Sequence, residues 1–151
     1  MSTVVLVGAT VANGLLAGLF FAFSCAVTAG LHRVEDRAYV TVFRATNTAI
    51  LNGWFLPVFL GAPLLTLAAA ALRPDGRAWL VAALVGTAGT FLVTVARNVP
   101  LNQRLARATT GTAAQWAEAR RAFEGRWNGW NAVRTGTSTG ALVCLAAAAA
   151  G

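Results

Sequence analysis

The sequence predicts an all-α integral membrane protein, a four-helix bundle with amphipathic interfacial helices in its first and third loops. Hydrophobic residues make up 57% of the 151-residue chain and charged residues 11%, which is too apolar for an ordinary soluble domain. Four long intervals carry no charged residue, and a helix needs about 20 apolar residues to cross a bilayer. We therefore predict one domain, residues 1–151, with spans at about residues 3–29, 47–72, 78–97 and 129–150.

The first span has one partly polar face. The spacing of Asn13, Ala17, Phe20 and Ser24 places them on the same side of a helix. An amide at this depth needs a partner on another helix, so we expect Asn13 to make a structural interhelical hydrogen bond. The segment has no basic leader, and we expect it to be retained rather than cleaved as a signal peptide.

The second and third spans carry amides near their ends. Asn47 and Asn52 lie in the predicted first turns of the second span, which ends in a Pro-Asp-Gly turn. The third span runs into Asn98-Val-Pro-Leu-Asn102. Because a proline disfavours a helical conformation at the preceding residue, we predict a break or kink at Pro100.

Residues 113–126 predict an amphipathic, arginine-rich helix that leads into the fourth span. Aromatic, amide and guanidinium side chains recur there at i, i+3/i+4 and i+7 and line one face. Two explanations stay open, an interfacial belt in which Trp and Arg anchor a helix end, or a binding face. The face consists of Arg120, Phe123, Glu124, Trp127, Trp130, Asn131 and Arg134.

The distribution of arginine predicts the orientation of the chain in the cell membrane. All 12 basic residues are arginines, and only Arg73 and Arg77 fall in the second predicted loop. The positive-inside rule therefore places the first and third loops in the cytoplasm and both termini outside. Because topology explains the excess charge, we predict the lipid bilayer as a partner and no nucleic acid.

Polar and aromatic residues from all four spans fall toward the cytoplasmic end, whereas the opposite half is mostly Ala, Leu, Val and Gly. Such convergence predicts a pocket. The residues after Arg134 reach only about 25 Å, less than a hydrocarbon core of about 30 Å. Its guanidinium is expected at the hydrocarbon edge, where it either snorkels or clamps an anion or enolate. The converging residues are Ser24, Asn47, Asn52, Asn98, Asn102, Trp127, Asn131 and Arg134.

The sequence lacks the spacing of a metal-binding motif. It has one His and two Cys, with no His-x-x-x-His or Cys-x-x-Cys pair. Cys25 and Cys144 lie in apolar runs, where small packing residues are expected. We predict no protein-bound metal and leave a homo-oligomer open.

Four motifs together resemble one known family over nearly the whole chain. They are Phe-x-Phe-Ser at residues 21–24 followed by Gly-Leu, an Asn near the start of the second span, Asn-Val-Pro-Leu-Asn at residues 98–102, and Trp-x-x-Trp-Asn-x-x-Arg at residues 127–134. The family is that of small four-helix membrane proteins whose characterised members include anthrone oxygenases; many members have Pro where this chain has Ala29. The resemblance implies functional roles for Ser24, Asn52, Asn98, Asn102, Trp127, Trp130, Asn131 and Arg134.

The resemblance also implies an activity, the oxidation of an anthrone or similar polycyclic phenol of the polyketide type by O2 to a quinone, without metal or flavin. Such a reaction needs a surface for a flat ring, a base and donors for an oxyanion. Glu124 and His32 are the two candidate bases. Arg134, Asn98 and Asn131 are the candidate donors, and the candidate substrate-binding residues are Trp127, Trp130, Asn52, Asn102, Asn47, Ser24 and Phe20.

Two other function classes stay open at this point. One is a non-catalytic membrane protein that binds a lipid or a quinone in the same pocket. The other is a structural membrane subunit in which the polar residues only hold helices together.

Overall fold

The computed structural model describes residues 2–151, which form five helices and, within that range, no β-strand. Helix α1 spans Ser2–Leu31, α2 spans Asp36–Ala49 and α3 spans Phe55–Leu72. Helix α4 spans Arg77–Arg107 and α5 spans Ala113–Ala150. Single π-helical stretches interrupt α1 at Phe23–Val27 and α4 at Thr94–Asn98. The predicted all-α fold class is confirmed.

Helices α1, α3 and α4 are each long and apolar enough to cross a membrane. Their outer faces carry exposed aliphatic side chains such as Val4, Leu64 and Val85, and a large apolar surface of this kind marks contact with lipid. These three helices make the chain an integral membrane protein. The fourth predicted span is the second half of α5, which continues without a break from the residues predicted as a separate interfacial helix. A membrane crossing by that half stays a prediction.

Small side chains close the end of the bundle where α1 and α4 begin and α3 and α5 end. Leu6, Ala69, Leu80 and Ala148 are buried together there. Further along, a Cβ atom at Gly86 would lie 2.9 Å from the carbonyl oxygen of Thr137. Because glycine has no Cβ atom, α4 can approach the backbone of α5 this closely. Small residues at helix contacts are typical of membrane bundles.

A buried polar layer joins three helices near the middle of the bundle. The Nδ2 atom of Asn13 donates to the hydroxyl of Thr66 on α3 at 3.1 Å. The hydroxyl of Thr87 on α4 donates to the Oδ1 atom of Asn13 at 2.8 Å. The expected interhelical role of Asn13 is therefore confirmed, since both ends of its amide are bonded to other helices.

Helix α2 lies across the opposite end of the bundle and packs on α4 and α5. Tyr39 and Phe43 on α2 are buried against Leu105 on α4 and against Phe123 and Trp127 on α5. This cluster fixes the position of α2.

Arg44 ties α2 to the end of α4. Its guanidinium donates to the carbonyl oxygens of Leu105 and Ala108, at 3.0 and 2.6 Å, and to the hydroxyl of Thr110 at 3.1 Å. A cation is favourable at the C-terminus of a helix, so Arg44 both satisfies the last carbonyls of α4 and attaches α2 to it.

Two predicted helix boundaries differ from the structure. The second span was predicted from residue 47, but Asn47 still belongs to α2 and α3 begins at Phe55. The side chain of Asn52 accepts hydrogen bonds from the backbone N–H groups of Trp54 and Phe55, both at 2.9 Å. Asparagine favours such turns because its side chain competes with the helical backbone for these donors.

Of the predicted break or kink at Pro100, the break is absent, because α4 stays helical to Arg107; a kink stays a prediction. Its π-helical stretch ends just before the proline, and the N–H group of Val99 bonds to the carbonyl of Thr94, five residues back. A proline ring clashes with the carbonyl four residues back in a regular helix. The wider turn relieves that clash and lets α4 continue.

Candidate functional site

A cavity of about 560 Å³ lies at the α2 end of the bundle, between α1, α2, the start of α3, α4 and α5. Its volume is within the usual range of small-molecule sites. Its wall is mostly apolar, with a few amides and two arginines. The predicted site residues in the wall are Phe20, Asn47, Asn98, Asn102, Trp127 and Arg134, and other lining residues include Leu19, Phe23, Arg44, Leu51, Phe55 and Thr94.

Of the two arginines in this wall, Arg134 is buried and Arg44 is half-buried. Arg134 is only 6% exposed. Its guanidinium carbon lies 4.3 Å from the ring centre of Phe20 and 5.2 Å from that of Trp127, which are cation–π distances. Among residues 2–151, none of the ion pairs includes Arg134, and its Nε atom has no hydrogen-bond partner. A buried cation without a carboxylate partner favours an anionic or strongly polarised ligand.

Asn131 fixes the position of Arg134. The Oδ1 atom of Asn131 accepts a hydrogen bond from Nη2 of Arg134 at 2.6 Å. Its Nδ2 atom donates to the carbonyl of Phe20 at 3.0 Å and to the hydroxyl of Ser24 at 2.8 Å. Because all of these hydrogen bonds are to protein groups, Asn131 and Ser24 support Arg134 from behind the cavity wall.

Trp127 forms part of the wall and is itself held in place. Its indole N–H group donates to Oδ1 of Asn102 at 2.9 Å. Its ring centre lies 5.5 Å from that of Phe23 and 5.0 Å from that of Phe43. A buried tryptophan with a satisfied N–H group offers a rigid apolar surface, which suits a flat aromatic ligand.

Asn98 and Thr94 enter the wall from the π-helical stretch of α4. This stretch begins at Thr94 and ends at Asn98, and π-bulges are frequent at functional sites. Asn98 is 1% exposed, yet neither its Oδ1 nor its Nδ2 atom has a hydrogen-bond partner among the described residues. The Nδ2 atom of Asn47 lacks one as well. Two residues of the cavity wall thus carry buried amide atoms that have no partner among the described protein groups.

Comparison with known protein families decides the membership of the chain. The family model described as anthrone oxygenase matches residues 50–144, a range that includes α3, α4 and most of α5. The chain belongs to the anthrone oxygenase family. No curated protein and no solved structure matches it significantly.

Three predicted substrate-binding residues of this anthrone oxygenase family member lie outside the cavity wall: Ser24, which is behind it, and Asn52 and Trp130. Asn52 is exposed and caps the start of α3. Trp130 is half-buried, and the guanidinium carbon of Arg97 lies 5.0 Å from its ring centre. Trp130 therefore matches the interfacial-belt explanation, with an arginine stacked on the ring.

The two candidate bases, His32 and Glu124, are also outside the wall. They bond to each other at the α1–α2 loop, where Nδ1 of His32 lies 2.9 Å from Oε1 of Glu124. Arg120 donates to Glu124 at 2.7 Å, to Asp36 at 3.1 Å, and to two backbone carbonyls of that loop. The group attaches the first loop to α5 and does not face the cavity. The helical spacing predicted one functional face along α5. In the structure this face contacts the α1–α2 loop in its first part and the cavity in its later part.

The charges in this group perturb each other as expected for a structural cluster. Burial alone would raise the pKa of Glu124, but the hydrogen bonds from Arg120 and His32 outweigh it and lower the pKa below its usual 4.5. The hydrogen bond with Glu124 raises the pKa of Arg120. Burial, and then repulsion from Glu124, raises the pKa of the neighbouring Tyr39 phenol. A carboxylate stabilised in its charged form is a weaker proton acceptor, and Glu124 lies outside the cavity wall; its role as a base stays a prediction.

The stability of the protein should fall in acid as Glu124 is protonated. Its pKa is lower in the folded chain than the usual 4.5, so its contribution to stability is complete above that value and is lost as the pH falls through the lowered value. We expect the thermal midpoint of the parent in detergent to decrease when the pH is lowered below 4.5. The Glu124→Gln variant should have a lower midpoint than the parent at pH 7, and its midpoint should decrease less in acid. Glu118→Gln, whose parent side chain is 67% exposed, should keep the parental profile. An identical drop in Glu124→Gln would contradict this assignment.

Several lining residues of the cavity were missed by sequence reasoning. Thr94 carried a usable signal, because it precedes Asn98 by one helical turn. Arg44 was counted only as a topology charge, since its partners lie 61 to 66 residues later in the chain. Phe23 was part of a recognised motif but could not be placed in the wall without the π-helical stretch that reorients it.

Proposed function

We propose that the cavity binds a flat polycyclic phenol such as an anthrone, and that the protein oxidises it with O2 to the quinone without a cofactor. The observation that carries the proposal is the buried guanidinium of Arg134, which lines the cavity beside Phe20 and Trp127 and has no carboxylate partner among residues 2–151. Family membership supports the same chemistry. The site residues in this proposal are Arg134, Asn98, Trp127 and Phe20, with Asn131 in a positioning role.

The ring system would lie against the aromatic wall with its ketone oxygen toward Arg134. Deprotonation of the ring CH2 group turns the ketone into an enolate, and a fixed cation stabilises the negative charge on its oxygen. Among the described residues, the cavity wall contains no carboxylate and no imidazole. We therefore assign no side-chain base: the proton passes to water, and Arg134 promotes the step by stabilising the product anion.

The enolate itself supplies the electrons for the reduction of O2. One electron moves from the enolate to O2, and the resulting radical and superoxide combine to form a C–O bond. Protonation gives a hydroperoxide at the former CH2 carbon. Loss of the remaining hydrogen at that carbon then breaks the O–O bond, so that one anthrone and one O2 yield one quinone and one water.

A second candidate function is non-catalytic binding of a quinone or lipid in the same cavity. The lack of a side-chain base in the described wall favours it. The two are separated by aerobic incubation of the purified, chelator-treated protein with anthrone, measuring O2 uptake and quinone absorbance. We expect catalytic formation of one quinone per O2. Binding of the quinone without turnover above the buffer rate would leave only the second candidate.

The orientation in the membrane gives a prediction of its own. We propose that both termini lie outside the cell and that the first and third loops are cytoplasmic, because ten of the 12 arginines fall in those loops. A reporter fused after Gly151 should behave as exported, and one inserted at residues 109–112 as cytoplasmic. The reverse pattern would place the cavity at the outer face of the membrane.

A further inference from the structure

Buried asparagines in this protein fall into two kinds. Asn13 and Asn131, each 1% exposed, have both ends of their amides bonded to protein groups. Asn98 is equally buried, but both of its side-chain polar atoms lack partners among residues 2–151. Asn98 lines the cavity, whereas Asn13 does not. Among these three buried asparagines, the one without partners in the described part of the chain is the one that lines the cavity, although Tyr39 and Asn128 carry buried oxygens elsewhere that also lack them.

An unpartnered amide in this position is costly. A buried donor or acceptor without a hydrogen bond destabilises a protein, and buried polar groups are nearly always paired. An aliphatic residue of similar size would pack here without that cost. Asn98 therefore fits a site that is completed by a ligand rather than by the fold.

We infer that Asn98 is a specificity residue that recognises a ligand carrying a hydrogen-bond donor and acceptor side by side, such as a ketone with an adjacent phenolic hydroxyl. This inference rests on the proposed binding of a polycyclic ligand in the cavity. The Nδ2 atom of Asn98 donates and its Oδ1 atom accepts, so the two atoms match the ketone oxygen and the neighbouring O–H group. The role of Asn98 is then to select and orient the ligand, while Arg134 stabilises the charge that develops on it.

The test compares two quinones that differ only in their hydroxyl groups. Binding of 1,8-dihydroxyanthraquinone and of unsubstituted anthraquinone to the full chain in nanodiscs is measured by quenching of tryptophan fluorescence. For Asn98→Leu we expect the preference for the hydroxylated quinone, expressed as the ratio of the two Kd values, to fall about tenfold, since two neutral hydrogen bonds are lost. Both quinones also partition into lipid, but this contribution cancels when the ratio of Kd values in the variant is compared with the ratio in the parent. Asn98→Ala carries the same test if the leucine variant does not insert.

Thermal stability separates ligand recognition from a structural role. Removal of the unpartnered amide should raise the thermal midpoint of unliganded Asn98→Leu by about 2–4 °C. The matched control, Asn13→Leu, removes an amide that is fully bonded, so its midpoint should fall while the ratio of Kd values stays at the parental value. An asparagine that served only the fold would behave like Asn13.

Three outcomes would overturn the inference. They are an unchanged ratio of Kd values in both Asn98 variants, an equal loss of binding for both quinones, and a fall in the midpoint of Asn98→Leu as large as that of Asn13→Leu. An unchanged ratio would indicate that water alone satisfies the amide. Failure of the parent to turn over anthrone would overturn the proposed oxygenase activity and leave this inference standing, because its measurements are of binding.

Discussion

Replacement of Arg134 by lysine should slow aerobic turnover of an anthrone by about 10²-fold or more, as the loss of an oxyanion donor does elsewhere. Lysine keeps the positive charge but not the planar fork of donors. In the structure Nη2 is bonded to Asn131, and Nε has no partner among the described residues. A lysine ammonium cannot keep the bond to Asn131 and present a second donor in the same plane. Expression and membrane insertion should be normal, because the count of positive charges is unchanged.

Arg126→Lys is the matched control for this experiment. Arg126 lies two turns earlier on the same helix and is exposed, and it is absent from the cavity wall. Its variant should retain parental turnover and parental stability. Equal losses at both positions, or parental turnover in Arg134→Lys, would mean that Arg134 is a membrane anchor and would remove the central support of the proposed oxygenase.

Replacement of Arg120 by methionine should cause a large loss of stability. Its side chain is 12% exposed, bonds to Asp36 and Glu124, and donates to the carbonyls of His32 and Val34. The variant leaves the partly buried Glu124 and Asp36 without this partner and removes the bonds that attach the first loop to α5. We expect a loss of about 2 kcal/mol in the free energy of unfolding, or about 4–8 °C in the thermal midpoint.

The neighbouring residue provides the control for Arg120. Arg121 pairs with Glu118, and their side chains are 73% and 67% exposed, so an exposed pair of this kind contributes little. Arg121→Met should change the midpoint by less than about 2 °C. A midpoint for Arg120→Met that matches that of Arg121→Met would show that the first loop is held mainly by the aromatic cluster of α2 and α5.

The sequence predicted the convergence of the cavity residues more successfully than their individual roles. Phe20, Asn98, Trp127 and Arg134 lie near the same ends of three of the predicted spans, so any bundle with alternating span directions brings them to one level. Glu124 was harder to assign, because its helix is continuous over its whole length and the same face contacts the α1–α2 loop first and the cavity only later. Its actual partners, His32 and Arg120, are ordinary surface residue types, and no pattern in the sequence pairs them.

Helix boundaries were less predictable for a related reason. A proline normally predicts the end of a helix, and nothing in the composition of residues 94–98 distinguishes a π turn from an α turn. The turn before α3 is defined by the amide of Asn52, whose two backbone partners follow it immediately. Asparagine at a predicted helix start was instead assigned to ligand binding. In both cases hydrogen bonds over a few residues decide the outcome, and hydropathy does not report them.

The two π-helical stretches differ in their consequence for how this protein can diversify. Each adds one residue to a turn, and one residue corresponds to about 100° of helix rotation. In the half of α4 that contains Gly86 and Thr87, the side chains that face inward are determined by packing against the neighbouring helices. In the half that begins at Asn98, the facing of the side chains is offset by this rotation and is determined by the cavity. In α1 the lining residues Leu19 and Phe20 precede the stretch at Phe23–Val27, so this separation is specific to α4. Helix α4 is thus two modules in series, so its residues on the ligand side can change in evolution without altering the register of the packed side.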